Sequence, residues 1–519
     1  MNTPSERLQK AVELTIASGY QLNKDAFEFL SMIAATEDPV EVISKALKKI
    51  ETIGNKPLFI VRKFLEELIE KPESAKEAFP QPSLEPFVPP TPAQLEGKKA
   101  FRPYAKEIEA AIDIINDPGS KLGSGGTVED YLEYFRDRFK RMEKLLRQRM
   151  DARDAASSVI DALKAPPNTK LKIIGMITEK RETKQRILLT VEDLSASVTV
   201  LVPQNAPSTL LDKARTLLLD QVVCLGVTKT RGDLLIVEDI IFPDIAPKAQ
   251  NKAPFPIYAV LTSDLHVGSL KFQKEAFNRF VLWLNGKYGN EEMREIASHV
   301  KYVLIAGDIV DGIGVYPNQV KELAIKDVCG QYKLAAKFIE QIPDYIEVII
   351  IPGNHDASRK ASPQPPIPEA FLEPLQEARK VYSFGNPCTI SLHKVEVLLY
   401  HGRSLDDIVS TIQGMEYTYP EKAMTLLLQC RHLAPVYGGK NPLSPEPKDH
   451  LVIERVPDIF HAGHIHTLGY TNYRGVLVVN SGCWQEQTEY MKRMGLTPTT
   501  SLVPIVNLQT FEVKVLSFA

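Results

Sequence analysis

Histidine is absent from the first half of the chain: of 519 residues ten are histidine, and all ten lie at or after position 266. Cysteine is scarce and scattered. Cys224, Cys329, Cys388, Cys430 and Cys483 form no Cys-x-x-Cys pair. That spacing excludes a zinc ribbon, and an odd number of cysteines argues against a disulfide framework. The five therefore read as buried thiols of a reducing cytoplasm. No apolar run approaches the roughly eighteen residues of a membrane span, and Met1-Asn2-Thr3-Pro4 opens no signal peptide, so no membrane partner is expected. A strong charge of one sign is also lacking. With a formal net charge of −3, contact with nucleic acid has to come from a local positive groove or from metal ions. Between Thr169 and Ile241 there is no Phe, Tyr or Trp, which weighs against a base-stacking platform in that stretch.

What is present is one pattern repeated five times. Ile257-Tyr258-Ala259-Val260 is a short apolar segment that delivers Asp264 and His266 onto a loop. Val303-Leu304-Ile305-Ala306 ends in Gly307-Asp308, with Asp311-Gly312 following. Val348-Ile349-Ile350-Ile351 ends in Gly353-Asn354-His355-Asp356. Val397-Leu398-Leu399-Tyr400 ends in His401-Gly402, and Ile459-Phe460 leads into His461-Ala462-Gly463-His464-Ile465-His466. Open α/β sheets place their chemistry on such loops at the carboxyl ends of strands. A single Asp-x-His is commonplace surface, whereas five consecutive discharges of Asp, Asn and His form a ligand inventory.

That inventory suits phosphodiester hydrolysis, which needs charge neutralised on the phosphoryl oxygens, hydroxide at neutral pH and help for the leaving alkoxide. Two divalent ions supply all three. A mixed set of oxygen and nitrogen donors favours Mn²⁺, with Fe²⁺ or Zn²⁺ as alternatives, over Mg²⁺.

The order Asp-x-His, Gly-Asp-x-x-Asp, Gly-Asn-His-Asp, His-Gly, Gly-His-x-His resembles the calcineurin-like metallophosphoesterases. Val310-Asp311-Gly312-Ile313-Gly314-Val315-Tyr316-Pro317, Ser362-Pro363-Gln364-Pro365, Arg431-His432-Leu433-Ala434-Pro435 and Asn480-Ser481-Gly482-Cys483-Trp484-Gln485 narrow the match. They resemble the small, exonuclease-bearing subunits of archaeal family D DNA polymerases. The resemblance implies that Asp264, His266, Asp308 and His466 hold one metal ion. Asp308, bridging, with Asn354, His401 and His464 would hold a second. His355 would contact the scissile phosphate and assist the departing oxygen. Asp311 and Asp356 would fix imidazole tautomers from behind, while His461 reads as structural. The implied activity is a two-metal 3′–5′ exodeoxyribonuclease acting on DNA 3′ ends and proofreading for a large polymerising subunit. A sliding clamp is a further candidate partner, although the chain carries no clamp-binding box.

Two alternatives stand beside this reading. One is a catalytically silent scaffolding role of the kind held by the eukaryotic polymerase B-subunits, against which every ligand position is filled. The other is a phosphoprotein phosphatase, whose pattern requires Arg and Glu where this chain has Gly312 and Asp356.

The expected fold is multidomain α/β. Residues 1–71 read as a small helical domain: Thr3-Pro4-Ser5-Glu6 and Asp38-Pro39-Val40-Glu41 have capping spacing, and Leu58, Val61, Phe64, Leu65 and Leu68 form a helical stripe. A Pro-rich linker, 72–100, and a helical connector, 101–165, follow. In the connector Thr127 caps a helix whose core stripe is Leu132, Phe135, Phe139, Met142 and Leu146. Its basic residues Arg136, Arg138, Lys140, Arg141, Lys144, Arg147 and Arg149 read as a solvated face. Five strands and a helix in 166–246 suggest an OB-fold barrel. Residues 253–519 form the phosphoesterase domain, and the resemblance implies two face-to-face sheets flanked by helices.

Overall fold

The computed structural model describes residues 4–18, 20–22, 24–33, 38–51, 59–60, 65, 101–119, 122–155, 158–183 and 186–519. The chain divides into two compact units, Met1–Glu85 and Pro86–Ala519.

In the first unit, helices Pro4–Ala17, Lys24–Ile33 and Pro39–Glu51 enclose Ala11, Leu30, Ile43, Ala46 and Ile50. Asp38 Oδ1 accepts from Val40 N at 3.0 Å with Pro39 opening the helix, as the sequence spacing predicts. One feature departs from the all-helical expectation. β1 (Gln21–Leu22) and β2 (Phe59–Ile60) pair in parallel, so the apolar stretch after Pro57 begins as strand. Leu65 is helical and buried; Thr3, Leu58, Val61, Phe64, Leu68 and the Pro-rich stretch 72–100 lie outside the described residues.

The strands of the second unit begin with β3 (Ile112–Asn116). Next come β4 (Lys170–Thr183), β5 (Arg186–Glu192), β6 (Ser197–Pro203), β7 (Val222–Lys229) and β8 (Leu235–Ile241). The C-terminal region supplies β9 (Tyr258–Thr262), β10 (Val300–Ala306), β11 (Glu347–Ile351), β12 (Val381–Ser383), β13 (Cys388–Leu392) and β14 (Val395–Leu399). It ends with β15 (Ile459–Ala462), β16 (Gly469–Tyr473), β17 (Val476–Asn480), β18 (Leu502–Asn507) and β19 (Val513–Ser517).

β4-β5-β6-β8-β7 form a closed barrel in which β7 pairs back onto β4. Alternation along β5 turns Ile187, Leu189 and Val191 inward, against Val200, Leu225 and Val237.

The C-terminal strands build two six-stranded sheets, ordered β12-β11-β10-β9-β18-β19 and β16-β17-β15-β14-β13-β3. Their facing sides share one core, to which Leu261, Leu304 and Ile349 of the first sheet and Ile390, Val397, Leu399 and Val479 of the second belong. The neighbouring residues Val260, Val303 and Val348 point the other way, into helices Lys274–Leu284, Glu291–His299, Val328–Ile339 and Glu369–Ala378. On the far side of the second sheet, Leu398, Phe460 and Val478 pack on helices Leu405–Thr411 and Pro420–Cys430. Strands buried on both faces explain the unbroken apolar runs in the sequence, and the layering is helix, sheet, sheet, helix.

Two expectations about residues 101–165 need correction. The stretch is not wholly helical, because β3 joins the second sheet antiparallel to β13. The helix Val128–Arg147 starts at Thr127 with the expected capping box on Asp130, but its buried side is Tyr134, Arg138, Phe139, Met142 and Leu146, and Leu132 is exposed. Arg138 is buried because Asp449 meets its Nε at 2.8 Å, the Pro435 carbonyl accepts from Nη1 at 2.7 Å and the Tyr134 hydroxyl lies 2.9 Å from Nη2. Cys329 is exposed rather than buried, and no cysteine is paired. Among the described residues no helix is long and apolar enough to cross a membrane.

Candidate metal centre

The parallel strands of both sheets run the same way, so their carboxyl ends converge on one edge of the sandwich. β9 leads to Asp264 and His266, β10 to Asp308 and β11 to Asn354. β14 leads to His401, and β15 to His464 and His466. The chain must turn sharply there, and five of these residues do so in the left-handed region: φ is 53° at Asp264, His266 and Asp308, 70° at His464 and 60° at His466. Strain of this kind persists only where surrounding structure enforces it, and it concentrates at functional sites. The β10 and β11 loops also approach each other closely. A Cβ on Gly353 would lie 2.1 Å from Asp308 Oδ1, and one on Gly307 2.6 Å from His401 Nδ1.

Asp264, His266 and His466 form one group of donors and Asp264, Asp308 and His401 another, each within 4.8 Å; His266, Asp311 and His355 make a third of the same closeness. His466 Nε2 is 3.2 Å from Asp264 Oδ1 and 3.0 Å from His266 Nε2. Asp308 Oδ2 is 3.3 Å from His401 Nε2 and 3.8 Å from His266 Nε2, between the two groups. Asn354 Oδ1 lies 3.0 Å from His401 Nε2. His464 stands at the rim, its ring 5.2 Å from that of His401 and its backbone N–H donating to Asp264 Oδ2 at 2.9 Å.

Three of the imidazoles, those of His266, His401 and His464, are oriented from behind. His266 Nδ1 meets Asp311 Oδ1 at 2.9 Å, and His401 Nδ1 donates to the Ala306 carbonyl at 2.8 Å. Both rings therefore present Nε2 to the centre. His464 Nε2 is taken by Asp406 Oδ2 at 3.0 Å, which leaves Nδ1 as its available ligand atom. Asp406 opens the helix directly after His401-Gly402, and its sequence context alone does not mark it. Gln319 and Gln485 were also missed: their amides donate to the Asp311 carboxylate at 3.0 and 2.9 Å. Asp356 does something other than expected. It touches no imidazole; its carboxylate accepts from Gly353 N, Ile309 N, Val310 N and the Tyr332 hydroxyl, and so ties the β10 and β11 loops together.

His355 lies beside the two groups that contain Asp264. Its Nδ1 donates to the Asp311 carbonyl at 2.7 Å, its backbone N–H donates to Asp308 Oδ1 at 2.7 Å, and its Nε2 is 4.0 Å from Asp308 Oδ2. His461 is buried apart from them, with Nε2 3.1 Å from the Ser481 hydroxyl.

The electrostatics couple the carboxylates and imidazoles closely to one another. Burial opposes ionisation of Asp264, yet His466 beside it holds the carboxyl down at about 2. Burial likewise opposes ionisation of Asp308, but His401 and His355 keep it well below the usual range. Burial would lower His401, whereas Asp308 pushes it up to about 9. Burial brings His355 down to about 4 despite Asp308. Asp264 Oδ1 is buried and has no hydrogen-bond partner among the described residues. A buried carboxylate oxygen left unbonded among lone-pair donors is costly unless a cation meets it. The residues present fit divalent ions with mixed oxygen and nitrogen ligands.

Comparison with known proteins gives the same direction. The family model of the B subunits of DNA polymerases alpha and epsilon matches residues 259–468. The DNA polymerase II small subunit of Archaeoglobus fulgidus is 38% identical over 497 residues, covering 94% of both chains. That of Methanothermobacter thermautotrophicus is 36% identical over 91% of this chain and 92% of its own. The Methanocaldococcus jannaschii small subunit is 40% identical over 78% of this chain and 68% of its own. Similarity of that extent, running nearly the full length of both chains, makes this protein a member of the archaeal family D polymerase (DNA polymerase II) small-subunit family.

Proposed function

We propose that the chain is a two-metal 3′–5′ exodeoxyribonuclease that removes mispaired 3′ ends for the large polymerising subunit with which a small subunit assembles. The observation that carries this is the position of Asp308, whose Oδ2 faces His266, His355 and His401 at 3.8, 4.0 and 3.3 Å. A carboxylate so placed suits a bridge between two ions. Asp264, His266 and His466 would complete one site, and Asn354, His401 and His464 Nδ1 the other. Bound there, divalent ions, Mn²⁺ foremost, supply charge neutralisation at phosphoryl oxygens and a more acidic water.

The remaining work falls to the chain. His355, with Nδ1–H fixed on the Asp311 carbonyl, turns Nε2 toward the space above Asp308, where it can meet the scissile phosphate and steady the leaving 3′ oxygen. Asp311, itself held by Gln319 and Gln485, keeps His266 in the tautomer that leaves Nε2 bare. The four-layer arrangement supports a calcineurin-like metallophosphoesterase fold. The barrel order, with a helix between β6 and β7, supports an OB-fold that packs rather than stacks bases, since its strands carry no aromatic side chain.

The test follows 5′-labelled DNA bearing a paired or mispaired 3′ end with Mn²⁺, with and without chelator. Stepwise shortening from the 3′ end that EDTA abolishes is expected. No shortening under any of these conditions, by the chain alone or with the large subunit, returns the protein to a scaffolding role.

A further inference from the structure

An aromatic arc borders the metal centre. Tyr316 lies 6.2 Å, centre to centre, from the His355 ring and 5.7 Å from the ring of Tyr490. Tyr490 is 49% exposed. Both tyrosines are fastened through one carboxylate. Glu322 Oε2 accepts from the Tyr316 hydroxyl at 3.0 Å, and its Oε1 accepts from Glu489 N at 3.1 Å, at the start of the helix that carries Tyr490. That helix, Glu489–Met494, is further fixed by its Thr488 cap and by Gly495 in the left-handed conformation.

We propose that Tyr316 and Tyr490 form a stacking platform for the unpaired bases at a DNA 3′ end. Base stacking on aromatic rings tolerates any sequence, because every base has a π-face, and it is unavailable to a base held in a duplex. A frayed or mispaired terminus can reach the rings, while a paired one has to melt first. Discrimination at the metal centre then comes from strand separation rather than from reading base edges. The exposed Arg493 on the same helix is placed to meet the backbone of that strand. The strands of the barrel carry no aromatic side chain that could serve in the platform's place.

This inference deepens the nuclease reading and rests on it for the identity of the ligand, so its test separates the two. The full chain is titrated, with Ca²⁺ replacing Mn²⁺, into a single-stranded oligonucleotide carrying 2-aminopurine at its 3′ end. Stacking quenches the probe; Tyr490→Ala is expected to remove most of the quench and weaken binding about tenfold, the effect of one lost stacking contact. Tyr490→Trp restores both. Absence of binding or of quenching in the unaltered chain, or equal quenching in Tyr490→Ala, overturns the platform. Quenching as expected together with no DNA cleavage in Mn²⁺ overturns the nuclease reading instead.

Discussion

His464 Nε2 lies 3.0 Å from Asp406 Oδ2, so one of the candidate ligands is aimed by a carboxylate from a different loop. Burial opposes ionisation of Asp406, but His464 keeps the carboxyl down at about 2, so the carboxylate is ionised at neutral pH. Replacing Asp406 with Ala frees the ring to rotate. Metal affinity should fall by about 10–100-fold, the usual loss when an orienting carboxylate is removed. Calorimetric titration of chelated protein with Mn²⁺ checks this, and unchanged affinity would show that His464 needs no such partner.

His355→Ala should leave Mn²⁺ binding largely intact, because the ring groups only with His266 and Asp311 and belongs to neither donor group that contains Asp264. Hydrolysis should fall about 10²–10⁴-fold, as expected for loss of one proton-transfer or charge-stabilising group. Wild-type turnover of DNA by that variant would remove His355 from the reaction.

Gly353→Ala puts a methyl group 2.1 Å from Asp308 Oδ1 and 2.5 Å from Asp308 N, against a backbone that cannot yield. A cost of about 1–3 kcal/mol in denaturant unfolding is expected, with loss of Mn²⁺ binding as Asp308 is displaced. A variant that bound metal as before would mean that the β10 and β11 loops can separate.

Arg138→Met strands the charge of Asp449, which is fully buried and also bonds His432 Nε2 at 2.8 Å. Breaking such a pair from one side should destabilise the chain by about 3–5 kcal/mol, and replacing Asp449 as well by an apolar residue should recover much of it. Thermal unfolding of the single and double variants decides.

Buried histidines set an acid limit, among them, besides His355, two that lie outside the donor groups. Burial pushes His432 down to about 4 and His461 down to about 3. Each folded value lies below the roughly 6.5 of an unfolded histidine, so the unfolded chain binds more protons between those values and stability falls as pH drops through that window. The loss from His432 is on the order of 3 kcal/mol between pH 6.5 and 4. Unfolding followed against pH in EDTA should show it, and a flat profile over that range would mean that His432 is solvated.

The strand-end motifs were legible because a buried parallel strand leaves an unbroken apolar run and its loop has to begin with whatever residue does the chemistry. The barrel was legible from strand periodicity, although β4 runs well beyond the Lys172–Ile177 segment that marks it. What supports the site was not legible. Asp406 and His464 are 58 residues apart and Gln485 and Asp311 174 apart, and no local pattern links such pairs. Left-handed φ at Asp264, His266 and Asp308 is equally invisible, since Asp and His carry no glycine-like warning. Arg138 misled for the opposite reason: a basic residue on an amphipathic helix looks solvated until its distant partner Asp449 is known.

β3 has a practical corollary for anyone dissecting the molecule. Because Ile112–Asn116 hydrogen-bonds along β13, a fragment beginning near residue 253 would carry every candidate ligand and yet bare the rim of the second sheet. Raw strand rims recruit other chains. The two-sheet sandwich and the segment ahead of the barrel are thus one fabric woven from two lengths of thread, and a scissor cut between them should yield clumped material rather than a well-folded minimal fragment.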